Sequence, residues 1–159
     1  MEVFALLALG CEEPCVSKEL CWLTRSLPDG GASDGSCPFE PEEVFHTSFS
    51  NYELEQAQCI MEAFRDRTPG VARYGYNCGA ASREITVYIA GEYVGIAEYR
   101  IGYYEHSQSE TEESDGELKP ASFYEDCLNG PSDELHECFA ELFDKGSRVC
   151  PPTVRAINL

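Results

Sequence analysis

The sequence predicts an α+β domain stapled by disulfides: a small antiparallel sheet of about three strands, packed with a preceding helix and a C-terminal helical pair. Three observations lead there. Apolar residues recur at helical spacing behind a complete start signal at Ser50, residues 84–104 alternate around a two-residue turn, and nine cysteines are spread over 159 residues.

The helix comes first. In Ser50-Asn51-Tyr52-Glu53 the Ser hydroxyl is placed to accept the N3 amide while the Glu reaches back to the cap amide. Phe49 and Leu54 occupy the two positions of a hydrophobic staple, which sets how the chain enters the helix. Leu54, Ala57, Ile60, Met61 and Phe64 then define one buried face, and Thr68-Pro69-Gly70 stops it. A strand is expected from Val71 to Cys78, followed by a hairpin of Glu84 to Ala90 with Tyr93 to Tyr104. Gly91-Glu92 suits a type II′ turn, which wants Gly first. That register sets Ile89 opposite Val94 and Val87 opposite Ile96 on one face. On the other, Tyr88 covers the bare backbone of Gly95.

Ser107 to Gly116 is polar and acidic, and reads as a mobile loop. Ser122-x-x-Glu125 resembles a second capping box, opening a short helix that Asn129-Gly130-Pro131 ends. Ser132 is expected to cap a longer helix, with Leu135, Cys138, Phe139 and Leu142 as its inner stripe and Lys145-Gly146 as its end. A Cys127–Cys138 bridge would tie this helical pair together. Upstream, residues 12–24 read as a short helical turn with Leu20, Trp22 and Leu23 as its apolar content. Residues 26–36 are rich in Gly, Ser, Asp and Pro, hence a loop or linker pinned by Cys37. The expected organisation is residues 1–10 as the remnant of an export signal, 11–48 as tether and loop-rich segment, and 49–159 as a single α+β domain.

Val3 to Gly10 is unbroken in hydrophobicity and runs directly into Cys11. A segment ending Leu-Ala-Leu-Gly-Cys resembles the end of a bacterial lipoprotein signal, and the resemblance implies that Cys11 is the lipidated first residue of the mature protein. Met1-Glu2 supplies no positive n-region, so the expectation is of a start drawn too late within the signal. Ordinary signal cleavage after Gly10, or a first strand or helix over residues 3–9, are the other readings of this segment.

With Cys11 set aside, Cys15, Cys21, Cys37, Cys59, Cys78, Cys127, Cys138 and Cys150 form an even set suited to disulfides. Such density is unusual in a reducing cytosol. The cytosolic alternative is zinc, whose usual sign is paired Cys-x2-Cys knuckles, and the sequence has none. No metal and no cofactor is therefore expected. No stretch approaches the roughly 20 apolar residues of a membrane span, so contact with a membrane would come through the lipid anchor.

The net charge of −18 is uneven. Between Val71 and Tyr104 three acids balance three arginines, whereas between Glu105 and Asp144 thirteen acids face Lys119 alone. Nucleic acid is excluded as a partner, because phosphate contact needs clustered Lys and Arg. A basic protein fits the field instead. The acidic stretch has no EF-hand spacing.

The three histidines, His46, His106 and His136, stand near no recognisable nucleophile, and no hydrolase elbow, zinc helix, P-loop or dinucleotide fingerprint occurs. No catalytic residue is assigned. Tyr74, Tyr76, Tyr88, Tyr93, Tyr99, Tyr103 and Tyr104 concentrate in the strand region, and tyrosine is enriched at recognition surfaces. Tyr88, Tyr93 and Tyr99, with Glu134, Glu137 and Glu141 from the helical pair, are the candidate binding surface. The expected function is a non-enzymatic binding protein, exported or anchored to a bacterial envelope. The alternatives are an acidic inhibitor or immunity-type protein neutralising a basic partner, and an extracytoplasmic enzyme without a recognisable motif.

Overall fold

The capping box at Ser50 forms as the sequence dictates: Glu53 N–H donates to the Ser50 hydroxyl at 3.4 Å, and Ser50 N–H donates to Glu53 Oε2 at 2.8 Å. The computed structural model describes residues 15–26, 49–77, 81–102, 110–146 and 154–156. Cys11 and the export segment, most of the linker, Cys37, Cys78, Cys150, His46, His106, Tyr103 and Tyr104 lie outside the described residues. In chain order the elements are β1 (Cys15–Val16), β2 (Glu19–Ser26), α1 (Asn51–Arg65), β3 (Gly70–Asn77), β4 (Ala81–Ala90), β5 (Tyr93–Gly102), β6 (Glu110–Leu118), α2 (Ala121–Asn129), a 3-10 helix (Leu135–Glu141), β7 (Phe143–Lys145) and β8 (Arg155–Ala156).

Among the described residues the main sheet has six strands in the order β2-β3-β4-β5-β6-β7, not about three, and β1 and β8 form a separate pair. β2 runs parallel to β3 across a connection that contains α1, and the remaining neighbours are antiparallel. The hairpin takes the expected register, with Ile89 on Val94, Val87 on Ile96 and Tyr88 on Gly95. Gly91 sits at φ +65 while Glu92 keeps an ordinary φ, the combination a type II′ turn requires.

Four further expectations fail. Residues 19–26 are strand rather than helical turn, because Cys21, Leu23 and Arg25 are buried while Trp22 and Thr24 are exposed, a period of two. The acidic stretch is strand β6 over Glu110–Leu118: Gly116 and Leu118 are buried and the strand pairs along β5, so backbone pairing overrides a poor strand composition. Beyond Ser132 the chain forms a seven-residue 3-10 helix with no side-chain cap bond, and Phe143–Lys145 then turns into the sheet instead of closing a helix. The second capping box is absent as well: α2 begins after Pro120, with no side-chain cap bond.

One face of the sheet carries the core. Leu23, Tyr74, Ile85, Val87, Ile89, Val94, Ile96 and Leu118 point toward α1, α2 and the 3-10 helix. Phe64 of α1 meets Tyr124 of α2 edge-on at 5.7 Å, and Phe139 of the 3-10 helix meets Tyr74 at 5.6 Å. Disulfides staple this layer at both sides, Cys21–Cys59 joining β2 to α1 and Cys127–Cys138 joining α2 to the 3-10 helix. On the opposite face the two-residue pair β1–β8 lies over the hairpin, where a Cβ at Gly95 would come within 2.9 Å of Val154.

Helix α1 ends in an unusual way. Arg67 adopts φ 52, the left-handed position that normally falls to Gly, and Thr68 N–H donates back to Ala63 C=O at 3.0 Å. Such a conformation costs a non-glycine residue about 1–2 kcal/mol. The Arg67 side chain offsets it: the guanidinium donates to Glu92 at 2.9 and 3.0 Å, to Phe64 C=O at 2.7 Å and to Lys119 C=O at 2.8 Å. One residue thus ties the end of α1 to the hairpin turn and to the entry of α2.

Candidate binding surfaces

The surface expected from sequence divides in two. Tyr88, Tyr93 and Tyr99 share one sheet face, since each alternates with the core residues Val87, Ile89, Val94 and Ile96. Tyr88 and Tyr93 are half-buried and Tyr99 is 39% exposed. Glu134, Glu137 and Glu141 are exposed on the 3-10 helix and its cap, which cover the other face of the sheet. The tyrosines and the acids therefore do not form a single surface. Tyr74 and Tyr76 belong to the core, and burial pushes the Tyr74 hydroxyl well above its usual pKa.

A row of buried charge crosses the core face near its upper rim. Glu98 of β5 accepts from Arg83 Nη2 at 2.8 Å and from Arg100 Nε at 2.5 Å. Burial alone would raise the Glu98 carboxyl, but the bonds and charges of the two arginines outweigh it and hold it below the ordinary carboxylate range. Arg25 of β2 pairs with Glu53 of α1 at 3.2 Å and stacks over Phe49 at 5.0 Å. At Glu53, too, burial works upward and is outweighed, by hydrogen bonds from Ser50 and the nearby Arg25 charge, leaving its pKa lowered. His136 lies beside this group, buried, edge-on to Phe49 at 6.3 Å, with no hydrogen-bond partner for Nδ1 among the described residues. Among the described residues no group of three or more His, Cys, Asp or Glu is placed to hold a metal ion. These charges clamp strand to strand and sheet to helix.

The feature that sequence reading passed over is a groove of about 450 Å³ at the β2 edge, lined by Glu19, Leu20, Cys21, Trp22 and Thr24 of β2 and by Tyr52 and Gln56 of α1. Trp22 is 50% exposed and Tyr52 67% exposed, and with Tyr99 they make up the exposed large hydrophobics among the described residues. The Cys21–Cys59 disulfide holds the two walls together. Gln56 Oε1 accepts from the Trp22 main-chain N–H at 3.4 Å. One of the two aromatics was visible as a signal. Tyr52 lies off the apolar stripe of its helix, whereas Trp22, read from sequence as apolar content of a helical turn, is placed outward by the strand it belongs to.

No protein-family model matches the chain, and no curated protein or solved structure matches it. The described elements include no helix long and apolar enough to cross a membrane. The two disulfides are consistent with an extracytoplasmic location.

Proposed function

We propose that this chain is a non-enzymatic binding protein of an oxidising compartment, held to a bacterial envelope through lipid on Cys11 or secreted, and that it grips its ligand between Trp22 and Tyr52. The observation that supports this most is the pair of exposed aromatics on two walls locked by the Cys21–Cys59 disulfide. Aromatic side chains at recognition sites supply large contact area at small conformational cost.

Trp22 is the sole tryptophan, so its emission reports on this groove alone. Peptide, oligosaccharide and phospholipid panels titrated against the full chain should yield a class that changes this emission saturably. Tyr52→Ala should weaken that binding about tenfold, or roughly 1.4 kcal/mol. A ligand whose calorimetric affinity ignores Tyr52→Ala and leaves the emission unchanged would move the site elsewhere. The compartment is tested separately, by intact mass after alkylation without reduction: a diacylglycerol on an N-terminal Cys11 supports the anchor, and alkylated Cys21, Cys59, Cys127 and Cys138 would refute export.

A second reading, an acidic inhibitor of a basic protein, is favoured by the exposed Glu134, Glu137 and Glu141. Capture that collapses as salt rises, and is lost when all three are changed to Gln while Tyr52→Ala has no effect, would select it.

A further inference from the structure

We propose that the β2 edge accepts a basic peptide in extended conformation, laid alongside β2 as a seventh strand. This rests on the binding role of the groove and names its occupant. The main-chain geometry points to it. Val71 N–H donates to Lys18 C=O at 2.6 Å, so Val71, and by alternation Arg73, turn their polar groups toward β2. Arg73 stands opposite Trp22, so Cys21 and Leu23 receive its bonds and Trp22 and Thr24 face away from β3. The Gln56 bond to Trp22 N–H, on the side away from β3, agrees. Thr24 is exposed, and β2 is an outer strand among the described residues. An outer strand of this kind is a template for another chain.

The occupant's charge follows from the lining and from the whole. Glu19 is the one charged residue among the described residues that line the groove, with Arg73 beside it at 3.7 Å, and the chain as a whole carries −18. A second copy would bring the same −18 to the edge and be repelled, while a Lys- or Arg-bearing segment is attracted. Alternate side chains of an extended segment would reach Trp22, whose exposed ring offers a cation–π platform, and the others would meet Tyr52 and Gln56.

The test selects a displayed library of random nine-residue peptides on the full oxidised chain, with the Trp22→Ala, Tyr52→Ala double variant as counter-selection. Enrichment of Lys and Arg over Asp and Glu, a saturable change in Trp22 emission and affinity that falls with salt are expected. Selected peptides remade with N-methyl groups on alternate amides should lose at least tenfold in affinity in one phase and little in the other. Thr24→Pro should cost a similar factor, because its ring removes an N–H that faces away from β3. Peptides that bind unchanged after N-methylation in either phase overturn the strand pairing and leave the groove itself standing. Acidic selected peptides overturn the charge assignment. No enrichment over the counter-selection overturns the proposal, as would a reversible dimer in sedimentation or binding to anionic vesicles that Thr24→Pro abolishes in place of peptide binding.

Discussion

At one edge of the sheet β7 contributes three residues, and at the other β2 contributes eight, with the chain's one tryptophan half exposed along it. The β7 edge is shut by side chains. Tyr124 donates its hydroxyl to Leu142 C=O at 2.5 Å and accepts from Lys119 N–H at 2.9 Å, and Lys119 Nζ pairs with the exposed Asp144 of β7 at 2.5 Å. A short edge strand bearing charge is a standard defence against unwanted pairing. The β2 edge has instead a groove, two exposed aromatics and outward main-chain groups. The contrast teaches that the molecule can close an edge with side chains, and that among the described residues the β2 edge carries no such closure, which is what the proposed peptide would use.

The two edges would be equivalent if β2 proved as necessary for folding as the body between them. The largest expected loss therefore belongs to that body. Glu98→Ala removes the carboxylate that the buried Arg83 and its neighbour Arg100 share, and should cost about 3–5 kcal/mol in denaturant unfolding. Glu98→Gln should alter the acid limb. The folded pKa of Glu98 lies below its ordinary 4.5, so its stabilisation is present above that value and is lost as pH falls through the folded pKa. The Gln variant should thus be less stable at neutral pH and lose less on acidification. A variant with the same acid limb as the parent would dissociate the Arg83–Glu98–Arg100 cluster from stability.

The staples come next. Cys21–Cys59 closes a separation of 38 residues and Cys127–Cys138 one of 11, and chain-entropy scaling gives about 4 and about 3 kcal/mol. Separate Cys→Ser pairs should therefore differ by about 1 kcal/mol in unfolding, with the β2 staple the costlier to lose. A reversed order would mean that the β2–α1 wall is held by packing more than by its bridge. On the closed side, Tyr124→Phe removes the partner of Leu142 C=O and Lys119 N–H at a buried site, and about 1–3 kcal/mol should be lost in thermal unfolding. The hydroxyl itself is pushed up to about 12, chiefly by burial, so the loss should be constant from pH 6 to 9.

What the sequence revealed divides along the same line. Helix α1 and the β4–β5 hairpin were legible because their determinants are local: a cap four residues long, a turn of two, and apolar partners fixed by that turn. Strands β2 and β6 were not, because each is defined by the strands it pairs with and not by its own composition. β2 pairs with β3 some fifty residues later, as with Glu19 on Val71, and its apolar run Leu20-Cys21-Trp22-Leu23 hides a period of two. In β6 the carboxylates mask the inward Gly116 and Leu118, which are explained by β5 and β7 on either side. The groove was hidden for the same reason. Trp22 and Tyr52 are thirty residues apart, and nothing in either neighbourhood says that the Cys21–Cys59 bridge brings their elements together.

The smallest expected effect is the most discriminating. Tyr52→Ala replaces an exposed aromatic in the first turn of α1 with a better helix former, and leaves the Ser50–Glu53 capping bonds intact. Stability should stay within about 0.5 kcal/mol of the parent, as for surface positions free of buried partners. If the ring were part of the fold, the unfolding midpoint would drop along with any affinity. A midpoint that holds while Trp22 emission ceases to respond to ligand separates the two roles, because the groove then costs nothing to disarm. A drop beyond 1 kcal/mol, comparable to the Tyr124→Phe loss, would make the two edges alike and return Trp22 and Tyr52 to the packing of α1 on β2.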